Sequence, residues 1–336
     1  MNTISAQNIS KATFSPNAYL TNMGIAHYQK LDQYGARHMF PMLQVALSTA
    51  KYYKFNKGDL ARDDVKRKPE FGKVDPAHIS HDFGTYDVEV DQIIMGIDSI
   101  ARTNYVRTPG MHDPRRMKAR SIAEKMAIHQ DSIFAQKMFK KGVWSNEFAG
   151  VNATPTGKQF YKFDDANSMP IKFFDDRRTA ILEVGRREPN VLGLGMDAYR
   201  ALKENGDLLE RIKYSGSSAN PAIVNEKVLA ELLGFEKVVV FKSTYNEAEV
   251  GEKDNMKFIM DSKSALMVYA TSTPDIEEPS AGYMFTWDML GNGNYMPIAQ
   301  YEGEKGTHSE FMEGLMAVAF EKTADDMGLF MYDCCD

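Results

Sequence analysis

Gly193, Gly195 and Ala198 form G-x-G-x-x-A between an apolar stretch and a helix-like run, the pattern in which a backbone turn approaches a dinucleotide pyrophosphate. That chemistry needs more than glycines. The apolar stretch 190–195 is short and begins abruptly after Pro189. About 20 residues on, where an acid should meet a ribose, the chain reads Arg211-Ile-Lys-Tyr-Ser-Gly. A lone glycine motif is a weak signal, so a plain strand-to-helix turn is the preferred reading. His78, His81 and Asp82 invite a metal reading. Residues three apart on a strand point to opposite faces, and no third ligand stands at a recognisable spacing, so exposed polar histidines are preferred. The acid pairs 63–64, 164–165, 175–176, 277–278 and 325–326 fall in expected turns or helix starts, where capping and solvation account for them. No G-x-S-x-G, H-E-x-x-H or P-loop occurs, and the adjacent Cys334 and Cys335 have no catalytic setting. These residues support no catalytic, cofactor-binding or metal assignment, and no cofactor is expected.

Bulk properties narrow the class. The 336 residues suffice for two domains or one elaborated one, and 43% hydrophobic with 26% charged residues allows a sizeable core. A net charge of −6 and a pI near 5.7 argue against a dedicated nucleic-acid binder but leave room for a local basic face. The polar start, MNTISAQNISKATFSPN, is no secretory signal, and apolar runs such as 315–320 are too short to cross a bilayer. Two neighbouring cysteines cannot close a useful loop, so a soluble chain made in a reducing compartment is expected.

The longest helix signal is 113–142. Asp113 stands as N-cap with Pro114 at the first helical position, and Lys140 and Lys141 precede a closing Gly142. Ala119, Ile122, Ala123, Met126, Ile133, Phe134 and Met138 share one side. From Arg115 to Lys141 there are eight Lys/Arg against two acids, Glu124 and Asp131. Taken alone, this is a solvated face on an ordinary helix.

Around it, residues 1–44 read as a polar arm, with a weak helical period over 19–34 and an extended apolar segment at 39–47. Whatever orders the arm is expected on a neighbouring subunit. A two-stranded excursion goes out along 51–55 and returns along 86–91, around a tip of charges and breakers. Such a ribbon is marginal in water and needs something to lie on. Ile93, Ile97, Ile100 and Ala101 suggest a helix, and 146–169 a loop-rich passage. Helices are then expected at 175–187 (Ala180, Ile181 and Val184 inward), 196–205, 207–213 and 221–233. Strands are expected at 190–195, 237–241, 257–260, 265–270, 283–287 and 328–332, with a turn at 291–294. Residues 311–320 are apolar on both faces, as in a strand covered on both sides.

The order of these parts resembles the major capsid proteins of tailed bacteriophages, whose Hong Kong 97-like fold is shared by encapsulins and the herpesvirus capsid floor. Phe40-Pro-Met-Leu-Gln-Val45 resembles the family's phenylalanine–proline strand, 51–91 its extended loop, and 113–142 its spine helix. Residues 187–202, 209–213 and 229–240 are similar to its axial domain, and 279–287 to the segment returning to the peripheral domain. The resemblance implies an α+β capsid fold. Its divisions would be an arm at 1–44, an extended hairpin loop at 45–92, a peripheral domain at 93–165 and 309–336 with its spine helix at 114–141, and an axial domain at 166–308. It implies hexamers and pentamers of this chain closing into an icosahedral head around double-stranded DNA, assembled in the host bacterial cytoplasm, without active site, cofactor or membrane. Lys57, Arg62, Lys66, Arg67 and Lys68 would touch neighbouring subunits at the loop tip; Lys66 and Lys68 are the loop-tip candidates for the Lys–Asn cross-link that some members form, a chemistry that no pattern in this sequence supports. Arg116, Arg120, Lys137 and Lys140 would face the lumen and meet packaged DNA weakly. Portal, decoration and scaffolding proteins are the implied partners, the scaffold separate because only 1–44 precede the loop. An encapsulin shell is the alternative within the fold. An α/β nucleotide-binding enzyme using Gly193–Gly195 is the alternative from another class.

Overall fold

The computed structural model describes residues 33–55, 57–68, 70–100, 102–103, 114–215, 225–275, 278–289, 294–304 and 306–336. The expected helical period at 19–32, the Asp113 cap and the turn at 291–293 lie outside them.

A 3-10 turn, Ala36–His38, leads into β1 (Met42–Val45), then β2 (Thr49–Phe55), the short α1 (Lys57–Ala61), β3 (His81–Asp87) and β4 (Val90–Asp98). The long α2 (Pro114–Lys137) follows, then β5 (Glu147–Val151), β6 (Gln159–Tyr161), α3 (Pro170–Gly185), β7 (Val191–Leu194), α4 (Met196–Glu204), α5 (Gly206–Ser215) and α6 (Glu226–Leu233). The chain ends through β8 (Lys237–Val240), β9 (Thr244–Asn246), β10 (Met256–Phe258), β11 (Ala265–Val268), β12 (Gly282–Trp287), β13 (Ile298–Glu302), β14 (Ser309–Lys322), a 3-10 turn Asp325–Met327, and β15 (Gly328–Tyr332).

Two sheets share the long helix between them. The first has the order β1-β12-β14-β13, with β4 also paired to β14. The second runs β6-β5-β15-β11-β7-β8. On β15, β11, β7 and the edge strand β8, alternate residues enter different cores. Val191, Val239, Leu266 and Phe330 face α2, while Leu192, Val240, Met267 and Leu329 face the helices α3, α4 and α6. Both faces are therefore covered, which is why β7, β8 and β11 read as continuous apolar runs. The 314–320 stretch of β14 is buried throughout, as its sequence suggested.

Several expectations change. Ile93 and Ile97 belong to β4, antiparallel to β14 from Val90↔Ala317 to Asp98↔Ser309, not to a helix. A spacing of four is even, so it satisfies the strand period as well as the helical one, and the long-range pairing decides. The helix α2 ends at Lys137, not 141. There Met138 and Phe139 both donate N–H bonds to the Phe134 carbonyl (2.8 and 3.1 Å), turning Phe139 into the core and leaving Lys140 on the following turn. Helix α3 begins at Pro170, so Asp175 and Asp176 lie within it rather than at its start. Ile181 faces inward there, while Val184 is exposed. Strands β5 and β6 stand in the expected loop passage. The root of the arm is not left to a neighbour: Tyr34, Ala36, Met39 and Phe40 are buried in this chain's own core. Sheet membership also crosses the expected domain boundaries. Strands β5, β6 and β15 join β7, β8 and β11, while β12 and β13 join β14.

Candidate assembly surfaces

Strands β2 and β3 pair from Thr49↔Asp87 to Phe55↔His81, and among the described residues no third strand joins them. The base of this hairpin lies on the first sheet through aromatics: Tyr86 stacks on Phe285 at 4.6 Å, and Tyr52 sits 6.2 Å from the same ring. Gly84 leaves room for the Tyr52 ring, since a Cβ there would come within 2.4 Å of it. The tip beyond has no such support. Val65 is 91% and Phe71 100% exposed. Arg62, Lys66, Arg67 and Lys68 are all exposed there, and Arg62 lies 3.3 Å from Asp59. Lys57 is different. Its ammonium donates to the Val184 carbonyl at the end of α3 (2.9 Å) and pairs with Asp326, so it tethers the hairpin to its own chain. Inside the tip, Asp59 accepts the Ser80 N–H at 3.0 Å and the Ser80 hydroxyl, which together hold its carboxyl below the usual range.

Beneath the hairpin runs a groove of ≈ 670 Å³, with Leu43, Tyr283 and Phe285 among its apolar walls and Lys54, Arg186 and Glu278 among its charged ones.

On α2, Arg116 and Arg120 stand one turn apart on the exposed side. Lys137 is exposed but lies 3.7 Å from Glu321, and Lys140 is exposed on the turn beyond the helix. The basic face is thus partly compensated. Arg115 forms a bidentate pair with Glu310, which Arg102 and Gln300 also reach. Those donors, Arg115 first, hold the Glu310 carboxyl below its ordinary value.

The glycine motif is closed. Gly195 N–H donates to the Ser264 carbonyl, and the Asp197 and Ala198 N–H groups at the start of α4 both donate to the Ser262 carbonyl at 3.0 Å. Those are the amides a pyrophosphate would need. A Cβ on Gly195 would lie 2.4 Å from the Asp261 carbonyl oxygen, so glycine serves backbone packing here, and the nucleotide-enzyme alternative is set aside. His78 and His81 are both exposed, and among the described residues no three His, Cys, Asp or Glu side chains gather as a metal site. No helix among them is long and apolar enough to cross a membrane.

One group escaped the sequence reading. Asp131, in the middle of α2, is buried; its Oδ1 accepts the Ala36 N–H (3.0 Å) and its Oδ2 the Ser243 hydroxyl (2.6 Å). It ties the arm root, the helix and the segment after β8 together. No local pattern flags it, because its partners are 95 and 112 residues away.

No family model matches the chain. A protein named Major capsid protein, from Burkholderia phage BcepMu, is 25% identical over 230 residues, covering 67% of this chain and 68% of that one. A phage-related protein from Bordetella bronchiseptica superposes with a TM-score of 0.70 at 18% identity, covering 96% of this chain and 98% of that one. The capsid of cyanophage P-SCSP1u gives 0.51 at 9% identity, over 99% and 92%. The chain shares the Hong Kong 97-like capsid fold with the cyanophage protein and is similar in sequence to the Burkholderia phage protein. An encapsulin from Synechococcus elongatus shares the fold, with a TM-score of 0.51 at 11% identity over 99% and 95%. Of the expected site residues, Lys57 is bound within its own chain and Lys140 stands beyond α2 rather than on it.

Proposed function

We propose that this chain is the shell-forming subunit of a phage head: a structural, non-enzymatic protein that self-assembles as hexamers and pentamers into an icosahedral shell around double-stranded DNA. The observation that carries this reading is the agreement between a capsid fold spanning the chain and a sequence relative named as a major capsid protein. The hairpin supports it physically. A tip carrying Phe71, Val65 and the Lys66-Arg67-Lys68 triad gains stability only by covering its apolar surface, and the nearest supply of cover is another copy. Tip and body are different surfaces, so contact between them is head-to-tail, the kind that closes into rings. Arg62 joins the triad as a neighbour-facing cation, while Arg116, Arg120, Lys137 and Lys140 are assigned to the lumen, in weak, sequence-blind contact with DNA. Scaffolding, portal and decoration proteins are the further partners, and assembly takes place in the host bacterial cytoplasm before the protein resides in the virion.

Negative-stain electron microscopy of the purified chain, alone and co-expressed with its neighbouring genes, tests the proposal. Rings, shells or tubes are expected; a persistent monomer or dimer under all conditions would overturn it. The shared fold with the Synechococcus encapsulin favours a second reading, a shell around a cargo enzyme. Purified shells that contain a stoichiometric second protein and no nucleic acid would select it.

A further inference from the structure

We infer that Asp131 is a proton-binding latch for the arm root, holding residues 33–40 onto the body more firmly when protonated than when ionised. The geometry is that of a closed site. The carboxyl is 1% exposed, and Tyr34, Ala36, Met39 and Phe40 close over the region. Its oxygens accept from backbone N–H groups of the root, at Ala36 and Gly35, and from the Ser243 hydroxyl. Lifting the root therefore breaks the Ala36 and Gly35 bonds and admits water to the Ser243 one.

The charged surroundings decide the direction. From the arm root, Arg37 faces Asp131 and favours its ionised form, with its Nε also donating to His38 Nε2 (3.3 Å). Tyr34 lies on the same segment, within the fields of Asp131 and of Glu124 from α2. From the β8 side, Lys237 donates to the His38 carbonyl at 3.4 Å and sits in the field of Arg37. Burial outweighs the hydrogen bonds and the Arg37 charge, and pushes the carboxyl up to about 6 from 3.8. A carboxyl raised in the closed state contributes stability that is present at low pH and lost as the pH rises through about 6. Opening of the root is accordingly suppressed by up to roughly tenfold for each pH unit between 6 and 4, and is insensitive to pH above that. Acid tightens this latch. The inference concerns contacts within one chain and does not rest on the shell reading.

The test is hydrogen exchange of the full chain from pH 7.5 to 4.5, with protection of amides 34–40 expressed relative to intrinsic exchange at each pH. Protection in the wild type is expected to be flat down to about 6 and then to rise by roughly tenfold per unit. Asp131→Asn keeps an acceptor for Ala36 and a polar partner for Ser243 but cannot titrate, so its protection should show no rise. Ser243→Ala removes one donor to the carboxylate and should move the rise to higher pH. Wild-type protection without pH dependence, or the same rise in Asp131→Asn, would overturn the proposal. Should Asp131→Asn not fold, the Ser243→Ala shift and a carbon-13 titration of the Asp131 carboxyl still decide it, because titration near 4 excludes the latch.

Discussion

The ring of Phe134 on α2 meets Phe320 of β14 edge-on, with centroids 5.2 Å apart and planes at 75°. Phe40, Phe241 and Phe139 lie 5.7, 5.9 and 6.5 Å from the same ring, so one side chain joins the arm root, the helix and both sheets. Phe134→Ala should cost about 3–5 kcal/mol, because rings drawn from four segments cannot all collapse into the space. Urea unfolding of the unassembled chain measures it, and a loss below 1 kcal/mol would show that the cluster is dispensable.

Glu310 holds Arg115 and Arg102 at the start of β14. Its carboxyl is depressed by those partners, so its contribution is present above the ordinary value near 4.5 and is lost as the pH falls through its lowered one. Glu310→Gln should lower stability at pH 7 by about 1–2 kcal/mol, and the gap to wild type should narrow in acid. Thermal unfolding across pH reads both quantities. An equal gap at pH 7 and pH 3 would contradict the pairing.

Gly195→Ala separates the two readings of the glycine motif. The added Cβ meets the Asp261 and Ser262 carbonyl oxygens at 2.4 and 2.5 Å, so backbone must move and about 1–3 kcal/mol of stability should be lost. Calorimetric titration of the wild-type chain with NAD or ATP should give no binding heat. Micromolar binding would revive the nucleotide site.

Replacing Lys66, Arg67 and Lys68 together with Glu should abolish shells while leaving the melting temperature of the subunit nearly unchanged, since all three are exposed. Size-exclusion chromatography and microscopy distinguish lost assembly from lost folding. Normal shells would remove the triad from the interface.

Arg116→Glu with Arg120→Glu should yield shells that retain less nucleic acid and release it with a shallower salt dependence. The ratio of absorbance at 260 and 280 nm after a salt wash is the readout. Unchanged retention would mean that this face does not look onto the lumen.

Sequence by itself determined the elements whose residues respond to their immediate neighbours. The Pro114 start, the apolar stripe through Ile122, Met126 and Phe134, the doubly buried run in β14 and the Gly234 stop of α6 (φ 73°) are all local consequences of side-chain spacing and backbone freedom. The order of those elements carried the resemblance to capsid proteins. Only the tertiary structure decided that Ile93 and Ile97 lie on a strand, that Phe139 turns inward and ends the helix before Lys140, and that Lys57 is held by Val184 and Asp326. Asp131 makes the difference plainest. Along the chain it is one of two acids on a basic helix; in the fold it is the buried acceptor for Ala36 and Ser243. Its environment is built from segments about a hundred residues away, and burial is a property of the assembled surfaces rather than of any stretch of sequence.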